Sequence, residues 1–295
     1  MEIKAEVREV LHTECTLGEG AFWDAQRKIV WFVDIKKHHV WHYDPATGSN
    51  AKAVAPDQVG WVLPAENGLL LCGLKEGLWT FDPEHQTFKR LRDVPGEPAS
   101  NRNNDACTDT RGRVWLGTMD DGEKADTGRF YVFDKGQVRP AGPDHVSITN
   151  GPAVSPDGKT IYFTDTLGQK ILAADLRDDG SLGPARPFVD SKAHFPTAYP
   201  DGPVCDAEGF LWTGLYAGDR IARFTPDGRL DATVPMPTSN LTKLCFGGDD
   251  MKTVYVTSAR AGLSAEKLAA QPLAGSLLAF ESPVAGFAAT RVKLS

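Results

Sequence analysis

The chain has 295 residues, of which 41% are hydrophobic and 24% charged, and its formal net charge is −7. This acidic balance argues against the basic patches that nucleic-acid and anionic-membrane surfaces need. The 29 glycines and 20 prolines indicate many turns. The N-terminal segment lacks an apolar signal-peptide core, and no stretch approaches about 18 apolar residues. We therefore expect a cytoplasmic protein that does not enter a membrane.

Five cysteines are spread widely along the chain, at Cys15, Cys72, Cys107, Cys205 and Cys245. No CxxC pair occurs, which argues against a zinc knuckle and against a redox motif. We expect reduced, mostly buried thiols.

Short β-like runs bounded by turn residues follow one another along the chain. The first dozen residues alternate between apolar and polar and predict a strand. Six similar runs follow, in the order KIVWFVDI (28–35), GLLLCGL (68–74), RVWLGTM (113–119), TIYFTDT (160–166), FLWTGLY (210–216) and TVYVTSA (253–259). Each run precedes a second strand-like segment, after which turn residues interrupt the chain. Only Leu263 to Gln271 predicts a short helix, in a connection.

One large residue in each run marks a period of about 40–50 residues, which is typical of a β-propeller. These landmarks are Trp31, Leu71, Trp115, Tyr162, Trp212 and Tyr255. The sequence therefore predicts an all-β fold, a six-bladed β-propeller, as a single domain over residues 1–295. We expect the N-terminal strand to complete the last blade, because this pairing closes the ring and removes an exposed sheet edge.

Polar side chains recur 11 or 12 residues before the landmarks, where the first strand of each blade should line the central channel. The same step in the second blade falls between Gln58 and Gly60. Carboxylate and amide oxygens suit Ca²⁺, Mg²⁺, Mn²⁺ or Fe²⁺, and can also hold Zn²⁺. One divalent metal in the channel, with open positions for water or substrate, is the resulting hypothesis. The residues are Glu19, Asn104, Asn150, Asp201 and Lys243.

A glycine follows Glu19, Asn150 and Asp201, which allows unusual backbone angles or close packing at the channel mouth. Each of these pairs, taken singly, is also an ordinary turn dipeptide. Their common position across several blades favours the metal site. Lys243, at this position in the last blade, is interpreted as offsetting the negative charge of the channel.

Several segments together resemble the SMP-30/gluconolactonase family, which includes regucalcin and bacterial aldonolactonases. The resemblance covers nearly the whole chain and depends on the order and spacing of its motifs. These are LGEGAFW (17–23), RNND (102–105), GTM (117–119), ITNGP (148–152), SPDGKTIYFTDT (155–166), YPDG (199–202), TKLCFGG (242–248) and VYVTSAR (254–260).

The resemblance implies metal-dependent hydrolysis of a sugar lactone to its aldonic acid, in carbohydrate catabolism. It implies that Glu19, Asn150 and Asp201 bind the metal and that Asp201 is also the catalytic base. Arg102 and Asn104 would bind substrate, as would an acidic residue after GTM, for which Asp121 is preferred over Glu123. The family's usual proline is Ala21 here, and Asn103 also departs from its pattern. Both departures leave fine specificity open.

Other functions and mechanisms stay open from the sequence. If Asp201 remains firmly coordinated to the metal, metal hydroxide is the better nucleophile. The rival functions are a non-catalytic calcium-binding regulator, an ester or phosphotriester hydrolase on the same scaffold, and a propeller that binds only protein partners. The expected partner is a small sugar lactone rather than nucleic acid or membrane, with the chain a monomer or weak dimer.

Overall fold

The repeat folds as six four-stranded antiparallel sheets, the blades of a β-propeller. We describe residues 1–295 from a computed structural model. The first three blades contain β2 to β13, and β1 precedes them. These strands are β1 (Arg8–Leu11), β2 (Gly18–Asp24), β3 (Ile29–Asp34), β4 (His39–Tyr43), β5 (Asn50–Val54), β6 (Val59–Pro64), β7 (Leu70–Leu74), β8 (Gly77–Asp82), β9 (Thr87–Arg92), β10 (Asn101–Thr108), β11 (Val114–Asp120), β12 (Gly128–Asp134) and β13 (Gln137–Val146).

The last three blades continue the same pattern. Their strands are β14 (Thr149–Val154), β15 (Thr160–Asp165), β16 (Lys170–Asp175), β17 (Arg186–Asp190), β18 (Tyr199–Cys205), β19 (Leu211–Tyr216), β20 (Arg220–Phe224), β21 (Leu230–Pro235), β22 (Leu241–Gly247), β23 (Thr253–Ser258) and β24 (Leu277–Glu281). A 3-10 turn, Ser191–Ala193, precedes β18. The short helix α1, Ala265–Ala270, lies between β23 and β24, where the sequence predicts it.

The ring closes through its first strand, as predicted. The last sheet has the order β1-β24-β23-β22, so β1 supplies the outer strand of a blade that otherwise ends the chain. Arg8 pairs with Ala279 and Glu9 with Leu278 in this sheet. This pairing provides hydrogen-bond partners for the backbone groups at the outer edge of β24, which would otherwise be unpaired.

In two blades an aspartate side chain stabilises the turn between the first and second strands. In the third blade Asp109 accepts hydrogen bonds from the backbone N–H groups of Arg111 and Arg113 and from Trp115 Nε1. Asp206 repeats the pattern in the fifth blade, where its Oδ2 is 2.8 Å from Trp212 Nε1. The landmark tryptophans of these blades therefore anchor turns and pack inside the protein.

Six apolar cores lie between the blades, each built by residues of two neighbouring sheets. The core between the third and fourth blades, for example, packs Trp115 and Phe130 against Ile161 and Phe163. All six landmark residues are buried. This packing fixes the blades around the central channel.

A β-bulge interrupts the first strand of each blade. In the first, fourth and fifth blades the bulge follows Glu19, Asn150 and Asp201 respectively. The glycine after each of them has a positive φ: 60° at Gly20, 74° at Gly151 and 45° at Gly202. Residues other than glycine rarely adopt such backbone angles. The expected conformational role of these glycines is confirmed.

The C-terminal segment crosses the end of the channel opposite Glu19. Val292 donates its backbone N–H to the carbonyl of Pro64 in the second blade. Residues 287–290 face the inner strands at that end of the channel.

No helix is long and apolar enough to cross a membrane.

Candidate metal and catalytic site

Three predicted site residues are buried in the inner strands of the first, fourth and fifth blades. Glu19 is in β2, Asn150 in β14 and Asp201 in β18, and their exposed fractions are 3%, 2% and 5%. Burial, and then the negative charge of Asp105, raise the pKa of Glu19 to about 8. Burial, followed by the charges of Glu19 and Asp105, raises the pKa of Asp201 well above its usual range. The carboxylates therefore act on one another inside the channel.

The strand pairing shows that Asn104 and Lys243 do not occupy the position that the sequence analysis predicted for them. Glu19, Asn150 and Asp201 each occupy the last paired position before the bulge, but the corresponding residues in the third and last blades are Asn103 and Leu241. Asn104 thus lies one residue later than predicted and Lys243 two residues later. The first hairpins of the blades differ in length, so a fixed step back from a landmark does not reach the same position in each blade.

A buried ion pair between Lys243 and Asp105 joins the last blade to the third. Lys243 Nζ lies 2.7 Å from Asp105 Oδ2, and both side chains are almost fully buried. Asp105 also accepts a 2.7 Å hydrogen bond from the backbone N–H of Gly151, next to Asn150. Burial lowers the pKa of Lys243, but Asp105 outweighs it and the pKa is raised. Lys243 therefore offsets channel charge, as predicted.

Asp105 is a site residue that the sequence reasoning missed. It lies within the RNND segment, which drew attention to Arg102 and Asn104 instead. Its acidic side chain on a predicted channel strand was the available signal. The bulge, which decides whether its side chain faces the channel, could not be located from the sequence.

The channel contains more negative than positive groups. Glu19, Asp105 and Asp201 face a single ammonium, that of Lys243. With every carboxylate ionised, two negative charges remain uncompensated in this group. Isolated buried charges are costly, so such groups either take up protons or bind a counter-ion. The electrostatics favour a divalent cation.

Hydrogen bonds orient the amide of Asn150. Thr166 Oγ1 donates to the carbonyl of Pro200, so it accepts from Asn150 Nδ2 at 2.8 Å. The oxygen of the amide, Oδ1, therefore points away from Thr166 and lies 3.1 Å from Asn104 Nδ2. Asn150 is therefore held with its amide oxygen towards Asn104.

The donor atoms available fit a divalent metal. Asp201 Oδ1 is buried without a hydrogen-bond partner, which leaves a strong acceptor unsatisfied. The only hydrogen bond to the Glu19 carboxylate comes from the N–H of Gly20. No three His, Cys, Asp or Glu side chains lie close enough to hold a metal by themselves. A metal here would therefore use the amide oxygen of Asn150 with the carboxylates of Glu19 and Asp201, a hard oxygen set.

Arg102 and Asp121 lie near Asn150, one of the proposed metal ligands. Arg102, only 2% exposed, donates from Nη1 to Asn104 Oδ1 at 2.6 Å and from Nε to Asp121 Oδ1 at 3.0 Å. Its Nη2 group makes no hydrogen bond within the protein. Asp121, rather than the exposed Glu123, contacts Arg102 directly. The structure therefore brings together Arg102, Asn104 and Asp121 next to Asn150.

An apolar cavity occupies the other end of the channel. Its empty volume, including the part open to solvent, is about 950 Å³, and 19 of its 28 lining residues are hydrophobic. It contains Lys243 but none of Glu19, Asn150 or Asp201. A polyol would find few hydrogen-bond partners there, so the polar end is the better candidate site.

The remaining polar candidates lie outside the site. His12, His85, His145 and His194 are exposed, whereas the histidines between residues 38 and 42 are partly buried near the strand turn. All five cysteines are free thiols and four of them are buried, as expected. Burial raises the pKa of every one of these thiols, which makes them poor nucleophiles.

The fold and the buried oxygen cluster define a six-bladed propeller with a candidate cation site in its channel. Residues 17–260 match the SMP-30/Gluconolactonase/LRE-like region. The chain belongs to this family, which confirms the resemblance seen in its motifs.

Two curated relatives and one solved structure illustrate the match. The 6-deoxy-6-sulfogluconolactonase of Pseudomonas putida is 30% identical, covering 95% of this chain and 96% of the relative. The L-arabinolactonase of Azospirillum brasilense is 32% identical, covering 95% and 93% respectively. The calcium-binding protein regucalcin of Agrobacterium tumefaciens superposes with a TM-score of 0.94 at 27% identity, covering 99% of each chain.

Replacing Lys243 by methionine should destabilise the fold strongly. The substitution leaves Asp105 buried without its partner, and breaking a buried ion pair costs about 3–5 kcal/mol. The measurement is urea-induced unfolding at neutral pH. In the double variant Asp105→Asn/Lys243→Met the unpaired charge is gone, so part of the lost stability should return. Equal stability of wild type and Lys243→Met would contradict the assigned ion pair.

The metal-free protein should lose stability as the pH rises from about 5 to about 8. The folded pKa of Glu19, about 8, lies above its ordinary value of 4.5 because burial disfavours the charged form. Its contribution is fully present below the unfolded pKa and is lost as the pH rises through the folded pKa. Asp105 and Asp201 shift in the same direction.

Thermal melts in the presence of a chelator measure this dependence. The melting temperature should fall across that range, and Glu19→Gln should flatten the fall. Adding Ca²⁺ should also flatten it, because a bound cation favours the ionised carboxylates. A melting temperature that rises with pH in the chelated protein would contradict the assignment.

Proposed function

We propose that the protein hydrolyses a sugar lactone to the corresponding aldonic acid, with one divalent metal in the channel. The observation that carries the proposal is the buried acidic group, with an unpartnered carboxylate oxygen on Asp201, beside free hydrogen-bond donors of Arg102. The family membership and the two lactonase relatives support the reaction class. The ring size and the substituents of the lactone are left open.

Glu19, Asn150 and Asp201 are the proposed metal ligands. Ca²⁺, Zn²⁺, Mn²⁺, Mg²⁺ and Fe²⁺ are the candidate metals, since all of them accept oxygen donors. When bound, such a cation supplies a Lewis acid that stabilises negative charge developing on the lactone carbonyl oxygen. Burial of the three ligands excludes competing water and strengthens that stabilisation.

Asp201 is the proposed general base. It takes a proton from water as the water oxygen bonds to the carbonyl carbon. The bond between this carbon and the ring oxygen then breaks, and the ring oxygen leaves as a hydroxyl after receiving the proton. One water is consumed, and the product is the open-chain hydroxy acid. Asp201 is suited to this role because no protein donor occupies its Oδ1, so that oxygen can bind the metal while the other carboxylate oxygen accepts the proton.

Arg102, Asn104 and Asp121 are the proposed substrate-binding residues. Arg102 Nη2 is free to donate to a sugar hydroxyl or to the developing oxyanion. Asn104 is fixed by hydrogen bonds to Arg102, to Asn150 and to the carbonyl of Thr149. Asp121 accepts from Arg102, Lys36 and Gln58, so it has little capacity for a further donor. We propose that Asp121 acts chiefly by holding Arg102 in place.

Calcium binding without catalysis is the second candidate function. It is favoured by the structural match to the calcium-binding regucalcin of Agrobacterium tumefaciens. The same acidic group would serve either function. Only an assay of lactone hydrolysis distinguishes the two functions.

A proton-release assay on sugar lactones tests the proposal. Metal-stripped protein should show no rate above spontaneous hydrolysis, and adding back one of the candidate ions should restore it. Asp201→Asn should lower kcat/KM by about 100-fold or more, since a positioned general base contributes about 10²–10⁴-fold. The assay includes both pentono- and hexonolactones.

Asp219→Asn is the matched control. Asp219 lies in the same blade but is exposed and pairs with Arg220 on the surface. It should retain the wild-type rate. If folded protein binds a metal but accelerates the hydrolysis of no lactone with any ion, the lactonase proposal is wrong. Calcium binding without catalysis is then the better supported function.

A further inference from the structure

Two lysines lie at the rim of the channel, at the end where the acidic group is found. Lys36 follows β3 and Lys75 follows β7, in the turns between the second and third strands of the first two blades. The inner strands begin at this same end. Both lysines approach the carboxylate of Asp121: Lys36 Nζ lies 2.7 Å from Oδ1 and Lys75 Nζ lies 3.9 Å from Oδ2.

Three cations surround the carboxylate of Asp121. Arg102 Nε is the third positive group, 3.0 Å from Asp121 Oδ1. Partial burial raises the pKa of Asp121, but hydrogen bonds from Lys36 and Gln58 and the charges of Lys36 and Arg102 outweigh it and lower the pKa to about 2. The charges of Glu19 and, less strongly, of Glu123 also act on Arg102. Lys36, Lys75 and Arg102 share the single carboxylate of Asp121 as their direct partner in this cluster.

The lysines have hydrogen-bonding capacity to spare. Lys75 Nζ makes no hydrogen bond within the protein, because its distance to Asp121 is too long for one. Lys36 Nζ donates to Asp121 and, at 3.4 Å, to Gln58. Their side chains are 30% and 34% exposed. A ligand at the rim can therefore reach both ammonium groups.

A short chain of hydrogen bonds connects the rim to the proposed reaction site. Asn150 Oδ1 contacts Asn104 Nδ2 at 3.1 Å, Asn104 Oδ1 contacts Arg102 Nη1 at 2.6 Å, and Arg102 Nε contacts Asp121 at 3.0 Å. These contacts join Asn150, Arg102 and Asp121 in one connected network. A lactone with its carbonyl at the proposed metal site would extend its far end along this network, towards Lys36 and Lys75 at the rim.

We propose that the substrate carries an anionic group at the end opposite the lactone carbonyl, bound by Lys75 and Lys36. This inference rests on the proposed lactonase function and narrows its substrate class to lactones with a terminal oxyanion. Ammonium groups form charge-assisted hydrogen bonds with carboxylate, sulfonate and phosphate oxygens alike. The shared chemistry is a terminal oxyanion, and the experiment distinguishes a phosphate from a carboxylate.

The test compares a neutral lactone with anionic ones of the same ring. D-Glucono-1,5-lactone, its 6-phosphate and its 6-carboxylate analogue are assayed with metal-loaded enzyme, and spontaneous hydrolysis is subtracted. We expect kcat/KM to be about tenfold or more higher for at least one anionic lactone, mainly through KM, because charge-assisted hydrogen bonds are stronger than neutral ones. The preference should weaken as ionic strength rises, since both lysines are partly exposed.

Lys75→Gln should reduce that preference about tenfold. Lys37→Gln is the matched control: Lys37 neighbours Lys36 in the same turn, but it pairs with Asp34 and with the carbonyl of Glu14. It should leave the preference unchanged. Circular dichroism of each variant verifies the fold.

Two results would overturn the inference while leaving the lactonase proposal intact. One is equal kcat/KM for neutral and anionic lactones. The other is an anionic preference that Lys75→Gln does not alter, because the anion would then be recognised elsewhere. Hydrolysis of none of the three, together with no activity on other lactones, would contradict the proposed function itself.

Discussion

The channel of this propeller buries three carboxylates beside one ammonium group, and the proposed cation binding follows from that imbalance. Lys243 and Asp105 neutralise each other across the ring. Glu19 and Asp201 are left without a cationic partner, and their raised pKa values express the cost of ionising both in a buried site. A divalent cation removes this cost and leaves both groups charged.

The repeated architecture supplies the means of holding these groups together. Each blade contributes an inner strand, and six apolar cores between blades fix the strands around one axis. A bulge with a positive-φ glycine follows each of Glu19, Asn150 and Asp201. The blades thus provide the rigid frame, and the bulges determine which side chains enter the channel.

Much of the fold could be predicted because a propeller repeats its turn chemistry and its buried landmarks. The strand that closes the ring and the short helix were predicted from local patterns. The site was predicted less completely. Asn104 and Lys243 are displaced from the expected position because hairpin lengths vary among blades. The pairing of Asp105 with Lys243 joins residues 138 positions apart, and no local pattern reports such a contact.

Anomalous scattering from crystals soaked with Mn²⁺ would test the central claim most directly. The account predicts one strong peak in the channel, about 2.0–2.6 Å from a Glu19 carboxylate oxygen, Asn150 Oδ1 and Asp201 Oδ1, as for oxygen-ligated divalent metals. Its position would identify the ligands without reference to activity. A peak at another place, or none between these residues in crystals of protein that binds Mn²⁺ in solution, would contradict the account.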